Sequence, residues 1–245
     1  MKVALAGGTR GIGRALARLL VERGHLVVLL GRDRAQLERS AADLAARSGG
    51  GQVGWAPLDL QRPEGFAGAL DIADAVAGGI DTLVVTAADF APQEDLEDDP
   101  ERLRRLLDVD FTGTVLLCEE ARRRLLQRGG GTLCDFGSVA GDRGRKPVVL
   151  YGAAKAGLAH YLEGLDHRYR LAGLRVVTVK PGFVRTGMTE GLPEPPFAAD
   201  AEPVARRALA ALERGTPVVY APAIWRWVML VIRLRPRFVM RRVGF

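Results

Sequence analysis

The stretch "KVALAGGTRGIGRALARLLVERG", residues 2–24, decides how the chain folds. Residues 2–6 read as a short apolar strand, a turn with Gly7, Gly11 and Gly13 follows, and an amphipathic helical pattern begins directly after it. Strand, glycine turn and helix in that order set the positive end of the helix over the strand's carboxyl edge. Glycines at these positions let the turn tighten and let backbone N–H groups approach a pyrophosphate. Gly7, Gly11 and Gly13, with Thr9 and Ile12 among them, are therefore candidate cofactor-binding residues. The chain holds no GxxxxGK[ST], so a nucleoside-triphosphate loop of that kind is excluded.

Outward from this unit the alternation repeats. Apolar runs "HLVVLL" (25–30), "VGWAPL" (53–58), "DTLVVTA" (81–87), "GTLCDFG" (131–137), "LRVVTVK" (174–180) and "PVVYAP" (217–222) are separated by helical patterns over 34–47, 63–77, 100–127, 149–171 and 201–213. Short apolar strands alternating with amphipathic helices predict an α/β fold, a doubly wound parallel sheet of Rossmann type with helices on both faces. Ligands of such sheets bind outside the carboxyl ends of the strands. No low-complexity stretch, linker or repeat divides the chain, so one domain is expected over 1–222, followed by a tail over 223–245.

The 245 residues are 48% hydrophobic, enough for a full core. "MKVALAGG" reads as a strand and not as a secretion signal, so a cytoplasmic protein is expected. Cys118 and Cys134 sit in apolar surroundings without CxxC spacing and read as core thiols. The formal charge of +6 is placed unevenly. Beyond Arg214, which follows the last acid Glu213, come Arg226, Arg233, Arg235, Arg237, Arg241 and Arg242 with no acid, so the tail carries the whole excess. A neutral body with one basic end argues against a nucleic-acid partner.

Two arginines bear on the cofactor. The second strand ends "VVLLGRDR", so Gly31 stands where NAD-binding Rossmann domains place an acid for the ribose hydroxyls, and Arg32 follows it. Arg10 lies inside the glycine turn. Two guanidinium groups flanking one point favour a 2′-phosphate, hence NADP(H). A second pairing stands in "VVLYGAAKAGL", where Tyr151 precedes Lys155 by four residues at a helix start. With four tyrosines and four lysines in the chain, chance predicts roughly 0.07 such pairs. Residues four apart share a helix face, so phenol and ammonium can meet.

"GGTRGIG", "LDL" with Asp59, "VVTAA", "DFTG", Ser138 thirteen residues before Tyr151, "YGAAK" and "PGFVRT" follow one another in the order and spacing of the short-chain dehydrogenases/reductases, which the chain resembles over residues 1–190. The resemblance implies that Asp59, with Leu60 beside it, contacts the adenine and that Ala87 lies along the cofactor. It implies that Pro181, Gly182, Val184 and Thr186 hold the nicotinamide end. Ser138, Tyr151 and Lys155 match the catalytic triad, with Lys155 also binding the nicotinamide ribose.

The chemistry stands beside the resemblance. A phenol near its unperturbed pKa of about 10 is a poor acid–base group at neutral pH, and a neighbouring ammonium favours its ionised form. Lys155 is thus expected to lower the Tyr151 pKa, Tyr151 to protonate the developing alkoxide, and Ser138 to hold that oxygen. Three positions depart from the family pattern: Asp110 where an Asn is usual, "VTAA" where Asn-Asn-Ala-Gly is usual, and Gly137 where a second small polar residue often precedes Ser138. In the family the residue at Asp110 supports a water relay to the lysine through its main-chain carbonyl. A carboxylate there would partly cancel the Lys155 charge.

His25, His160 and His167 have no metal-ligand spacing, and no metal site is expected. The charged pattern over 100–127 reads as a solvated helix face. In the family this helix and the Tyr151 helix build a dimer, so a homodimer or homotetramer is expected. The tail "IWRWVMLVIRLRPRFVMRRVGF" has no uncharged run beyond 227–232, too short to span a bilayer. Its aromatics interleaved with arginines fit a helix in a membrane interface, or an apolar arm across a subunit interface. More loosely, the tail resembles those of membrane-associated family members that reduce lipid-linked substrates, such as the decaprenylphosphoryl ketopentose reductases. The loop "GMTEGLPEPPFAAD" is where the family places its substrate lid, and Met188, Leu192 and Phe197 suit an apolar ligand. The expectation is an NADPH-dependent carbonyl reductase of a hydrophobic, lipid-linked ketone, peripheral at the inner membrane face. The alternative is a cofactor-binding sensor or interaction protein with little turnover.

Overall fold

In the computed structural model, which describes residues 1–47 and 53–242, the predicted alternation is realised. The first half runs β1 (Lys2–Ala6), α1 (Gly11–Glu22), β2 (Leu26–Gly31), α2 (Arg34–Arg47), β3 (Val53–Pro57), α3 (Phe66–Ala77) and β4 (Thr82–Val85). Then come α4 (Gln93–Asp98), α5 (Pro100–Leu107), α6 (Thr114–Gln127), β5 (Gly131–Phe136), α7 (Val149–Tyr169) and β6 (Leu174–Pro181). Two-residue strands β7 (Val184–Arg185) and β8 (Ala199–Asp200) pair with each other, and α8 (Ala201–Arg214), β9 (Val218–Ala221), α9 (Ile224–Leu234) and α10 (Arg237–Arg242) complete the order.

Seven strands form one parallel sheet in the order β3-β2-β1-β4-β5-β6-β9. The order reverses at β1, whose partners are β2 and β4, so the crevice of a doubly wound sheet opens at the carboxyl ends of β1 and β4. The period of two along each strand divides the core. Val3 and Leu5 point into one layer with α1, α2 and α8, and Ala4 and Ala6 into the other with α3, α6 and α7. Cys118 and Cys134 are buried free thiols.

Two features differ from the sequence reading. The helix expected over 100–127 is interrupted by a π-helical turn, Asp108–Gly113, in which Thr114 Oγ1 donates to the Val109 carbonyl at 2.8 Å. That turn accommodates an extra residue between α5 and α6. A short helix, α4, also precedes α5; Asp99 ends it and caps α5 by accepting from the Arg102 N–H at 3.0 Å.

The tail folds back on the body. Trp225, Met229 and Ile232 lie on one face of α9 and are buried together with Val139, the residue after Ser138. Trp227, Leu230, Leu234 and Phe238 remain exposed. Arg143 donates to the Arg235 carbonyl at 3.0 Å, tying the end of α9 to the loop beyond Ser138. Residues 243–245 of the expected tail lie outside the described residues. Among the described residues no helix is long and apolar enough to cross a membrane.

Candidate active site

A cleft of about 2390 Å³ runs along the carboxyl edge of the sheet. That is larger than the roughly 300–1,000 Å³ of an ordinary small-ligand site, and it leaves room for two bound molecules. Its first wall is the β1–α1 turn, with Gly7, Thr9, Arg10, Gly11, Ile12 and Gly13. Gly7 has φ +88°, and a Cβ there would stand 2.5 Å from the Ala87 nitrogen, while one on Gly13 would overlap the Gly7 carbonyl oxygen. Helix α1 starts without a side-chain cap at Arg10. Its first N–H groups therefore remain available to an anion.

Arg10 and Arg32 both line the cleft. Gln36 organises it. With its amide turned to satisfy both neighbours, its oxygen accepts from Arg10 Nε at 2.7 Å and Nη2 at 3.0 Å, and its nitrogen donates to Thr9 Oγ1 at 3.2 Å. Asp33, which also lines the cleft, caps α2 by accepting from the Gln36 N–H at 3.0 Å. Asp59 and Leu60 follow from the end of β3, and Asp59 Oδ1 accepts from the Gln61 N–H at 3.1 Å. Ala87, Pro181, Gly182, Val184 and Thr186 continue the wall. An uncapped helix start and a turn with no room for a side chain at Gly7 or Gly13 fit a dinucleotide, and two guanidinium groups line the cleft near them.

Ser138 and Tyr151 line the middle of the cleft. Ser138 stands just past β5, and its Oγ accepts from the Ala140 N–H at 3.1 Å, which fixes the start of the Val139–Asp142 turn. Tyr151 is in the first turn of α7, with Phe90 edge-on to its ring at 5.2 Å between centroids. Gln93, buried on α4, accepts from the Leu150 N–H at 3.1 Å and so caps the helix beside Tyr151. Neither Phe90 nor Gln93 carries a local sequence signal beyond its position after "VVTAA".

Lys155 and Asp110 stand behind this wall, 1% and 0% exposed. Lys155 Nζ lies 5.7 Å from the Tyr151 ring centroid, 3.4 Å from the Phe136 carbonyl oxygen and 3.7 Å from Asp110 Oδ1. Asp110 Oδ1 also accepts from the Asp89 N–H at 2.8 Å. The carboxylate, and not only the main chain, thus has a structural task. Asp135, next to the last residue of β5 and 2% exposed, completes the buried group; among the described residues its Oδ2 has no hydrogen-bond partner.

Lys155 pulls on the Tyr151 phenol in the expected direction, and burial outweighs that pull. Burial raises the Tyr151 phenol above its ordinary value; Lys155 and a hydrogen bond with Ser138 pull it down, Asp110 and Asp135 push it up, and the net direction is upward. Desolvation outweighs the ammonium because the phenol's charge would form away from water. The Tyr151 phenol accordingly keeps its proton at neutral pH. Burial likewise pushes Asp110 up to about 6 and Asp135 up to about 7, against the pull of Lys155. For Lys155, burial acts to depress the ammonium, but Asp110, Tyr151 and Asp135 outweigh it and hold the pKa above its ordinary value.

The far end of the cleft is closed by segments that the sequence reading treated separately. Met188, Leu192 and Phe197 line it from the lid loop, and Trp225, Trp227 and Val231 from α9. Phe197 meets Trp225 edge-on at 6.3 Å between centroids. A Cβ on Gly182 would overlap the Trp225 indole nitrogen, so the tail closes directly on the "PGFVRT" loop.

Sheet order, glycine turn and a Ser–Tyr pair backed by a buried lysine define a Rossmann-type oxidoreductase. The sequence profile described as short chain dehydrogenase matches residues 2–196, and the chain belongs to the short-chain dehydrogenase/reductase family. It is 34% identical over 243 residues to an uncharacterized oxidoreductase of Mycobacterium tuberculosis, covering 98% of this chain and 96% of that one. It is 31% identical to carbonyl reductase family member 4 of Xenopus tropicalis, over 78% of each chain. Among solved structures, a short-chain dehydrogenase from Sphingobium yanoikuyae in complex with NADPH superposes with a TM-score of 0.82 at 28% identity, covering 94% of this chain and 92% of that one.

Proposed function

We propose that this chain is an NADPH-dependent reductase of a ketone on a hydrophobic, lipid-linked substrate, working as a homo-oligomer at a membrane surface. The observation that carries this reading is the continuity of one cleft, from Arg10 and Arg32 past Ser138 and Tyr151 to the apolar side chains of the lid loop and α9. The carbonyl reductase relative and the NADPH-bound structural neighbour support it.

Pro181, Gly182, Val184 and Thr186 would hold the nicotinamide, which when bound would supply the hydride. Tyr151 holds its proton at neutral pH and releases it to the alkoxide oxygen as charge develops there. Ser138 donates to the same oxygen. Lys155 stays cationic beneath the phenol and stabilises the phenolate that proton release leaves behind. Phe197, Trp225 and Val231 exclude water and take up the apolar part of the substrate. A second reading, a sensor that binds NADP(H) with little turnover, draws on Asp110, whose carboxylate 3.7 Å from Lys155 weakens the ammonium's hold on that phenolate.

The test is NADPH oxidation over a panel of ketones and lipid extracts, with the Tyr151→Phe variant alongside. A reductase oxidises NADPH and loses a factor of roughly 10²–10⁴ in turnover in the variant while keeping NADPH affinity. A sensor binds NADPH and oxidises none.

A further inference from the structure

Between the turn carrying Ser138 and the helix carrying Tyr151 the chain places Arg145, and its side chain lines the cleft. It is partly buried, and among the described residues its Nε, sealed from solvent, has no hydrogen-bond partner. Arg105, by contrast, also lines the cleft but pairs with Asp89 at 2.9 Å. The acid whose charge reaches Arg145 is Asp142. Both oxygens of Asp142 are already engaged, Oδ1 by Lys180 Nζ at 2.5 Å and Oδ2 by the Tyr220 hydroxyl at 2.7 Å. Among the described residues Arg145 therefore has no counter-ion for its burial, and burial pushes its pKa down. A guanidinium does not lose its proton in a protein, so the charge persists and a partner is missing.

The partner's place follows from the neighbours. Arg10 and Arg32 stand at the other end of the cleft, where the cofactor phosphates are expected. Arg145 shares its wall with Ser138 and Tyr151, and Arg235 of the tail faces the same space. The Arg143 bond to the Arg235 carbonyl ties those two segments together. We infer that Arg145 is a binding residue for an anionic group of the substrate, a carboxylate or a phosphate, held beside the reacting carbonyl with Arg235 as its second cationic neighbour. The planar fork of Arg145 can take two oxygens of either anion. This assignment rests on reading the cleft as a substrate site, and it adds a charge requirement to a pocket otherwise apolar at that end.

The test uses the full chain saturated with NADPH and reads binding from the fluorescence of Trp225 and Trp227, which line the cleft. Two matched pairs serve as probes: 4-oxocyclohexanecarboxylate against its methyl ester, and dodecyl phosphate against dodecanol. In at least one pair the anion binds about tenfold or more tighter than its neutral partner, and the pair that discriminates tells carboxylate from phosphate. Arg145→Met removes the preference, Arg145→Lys keeps part of it, and NADPH affinity is the same in all three proteins. Equal or undetectable binding of both members of both pairs by the parent overturns the assignment, as does a Met variant that discriminates like the parent or a loss of NADPH affinity in it. Absence of NADPH oxidation with any ketone would instead count against the reductase reading and leave the anion preference measurable.

Discussion

Lys155 Nζ stands 3.7 Å from Asp110 Oδ1, and both side chains are closed off from solvent. The buried ammonium thus divides its field between the phenol of Tyr151 in front and carboxylates behind. Burial dominates all the acids of this group, which is why each titrates above its ordinary value.

For Asp110→Asn the expected result is an unchanged or higher turnover number, because the full Lys155 charge then acts on the developing phenolate. The parent's rate should change as Asp110 titrates at about 6, and the variant's pH profile should lack that inflection. A large loss of rate with the inflection intact would assign Asp110 another role.

Asp135→Asn tests the same cluster through stability. The folded-state pKa of Asp135 is raised from 3.8 to about 7, so between those values the folded chain binds more protons than the unfolded one. Stability from this group is therefore lost as pH rises through that range. The Asn side chain cannot ionise, so the variant should have the higher urea midpoint at about pH 8, with the gap closing toward about pH 4. A gap that ignores pH would contradict this.

Replacing both Arg10 and Arg32 by Ala should erase a preference for NADPH over NADH of about tenfold or more, since each can make charge-assisted contacts to the 2′-phosphate. Equal affinity of the parent for the two cofactors, measured by titration, would remove the assignment.

Much of this was legible in the sequence for a physical reason: strands, glycine turn and the Tyr151–Lys155 pair are local patterns. Val3 and Leu5 against Ala4 and Ala6 show the period of two directly. What escaped depends on contacts distant in the chain. Asp135 is one acid inside "GTLCDFG", and nothing local says that its carboxylate ends beside Lys155. The net rise of the Tyr151 pKa depends on how completely the phenol is desolvated, which spacing does not report. The apolar stripe of α9 has the same periodicity whether it meets lipid, another subunit or Val139 of its own chain.

The tail is expected to do two things. Leu230, Leu234 and Phe238 face outward among arginines, so the full chain should sediment with vesicles rich in anionic lipid, less so as salt screens the charge. Truncation after Ala223 should release it and also lower the thermal midpoint, because Val139 beside Ser138 loses its cover. Failure to bind vesicles, with truncation converting an oligomer to a smaller species, would make the tail a subunit-interface arm.

The π-helical turn at Asp108–Gly113 sets a phase between two helices. One residue of an α-helix advances the azimuth by about 100°, so the extra residue lets α5 and α6 be oriented independently. Leu106 packs with Leu96 and Ala154 near Tyr151, while Leu117 and Ala121 face the sheet. Shortening the segment by a single residue would bring both helices onto one continuous spiral and swing one of these faces out of contact. Along this stretch chain length matters as much as residue identity: a Cβ on Gly113 would already overlap the Leu60 carbonyl oxygen, and a deletion would turn the Leu106 face and the Leu117 face out of register with each other.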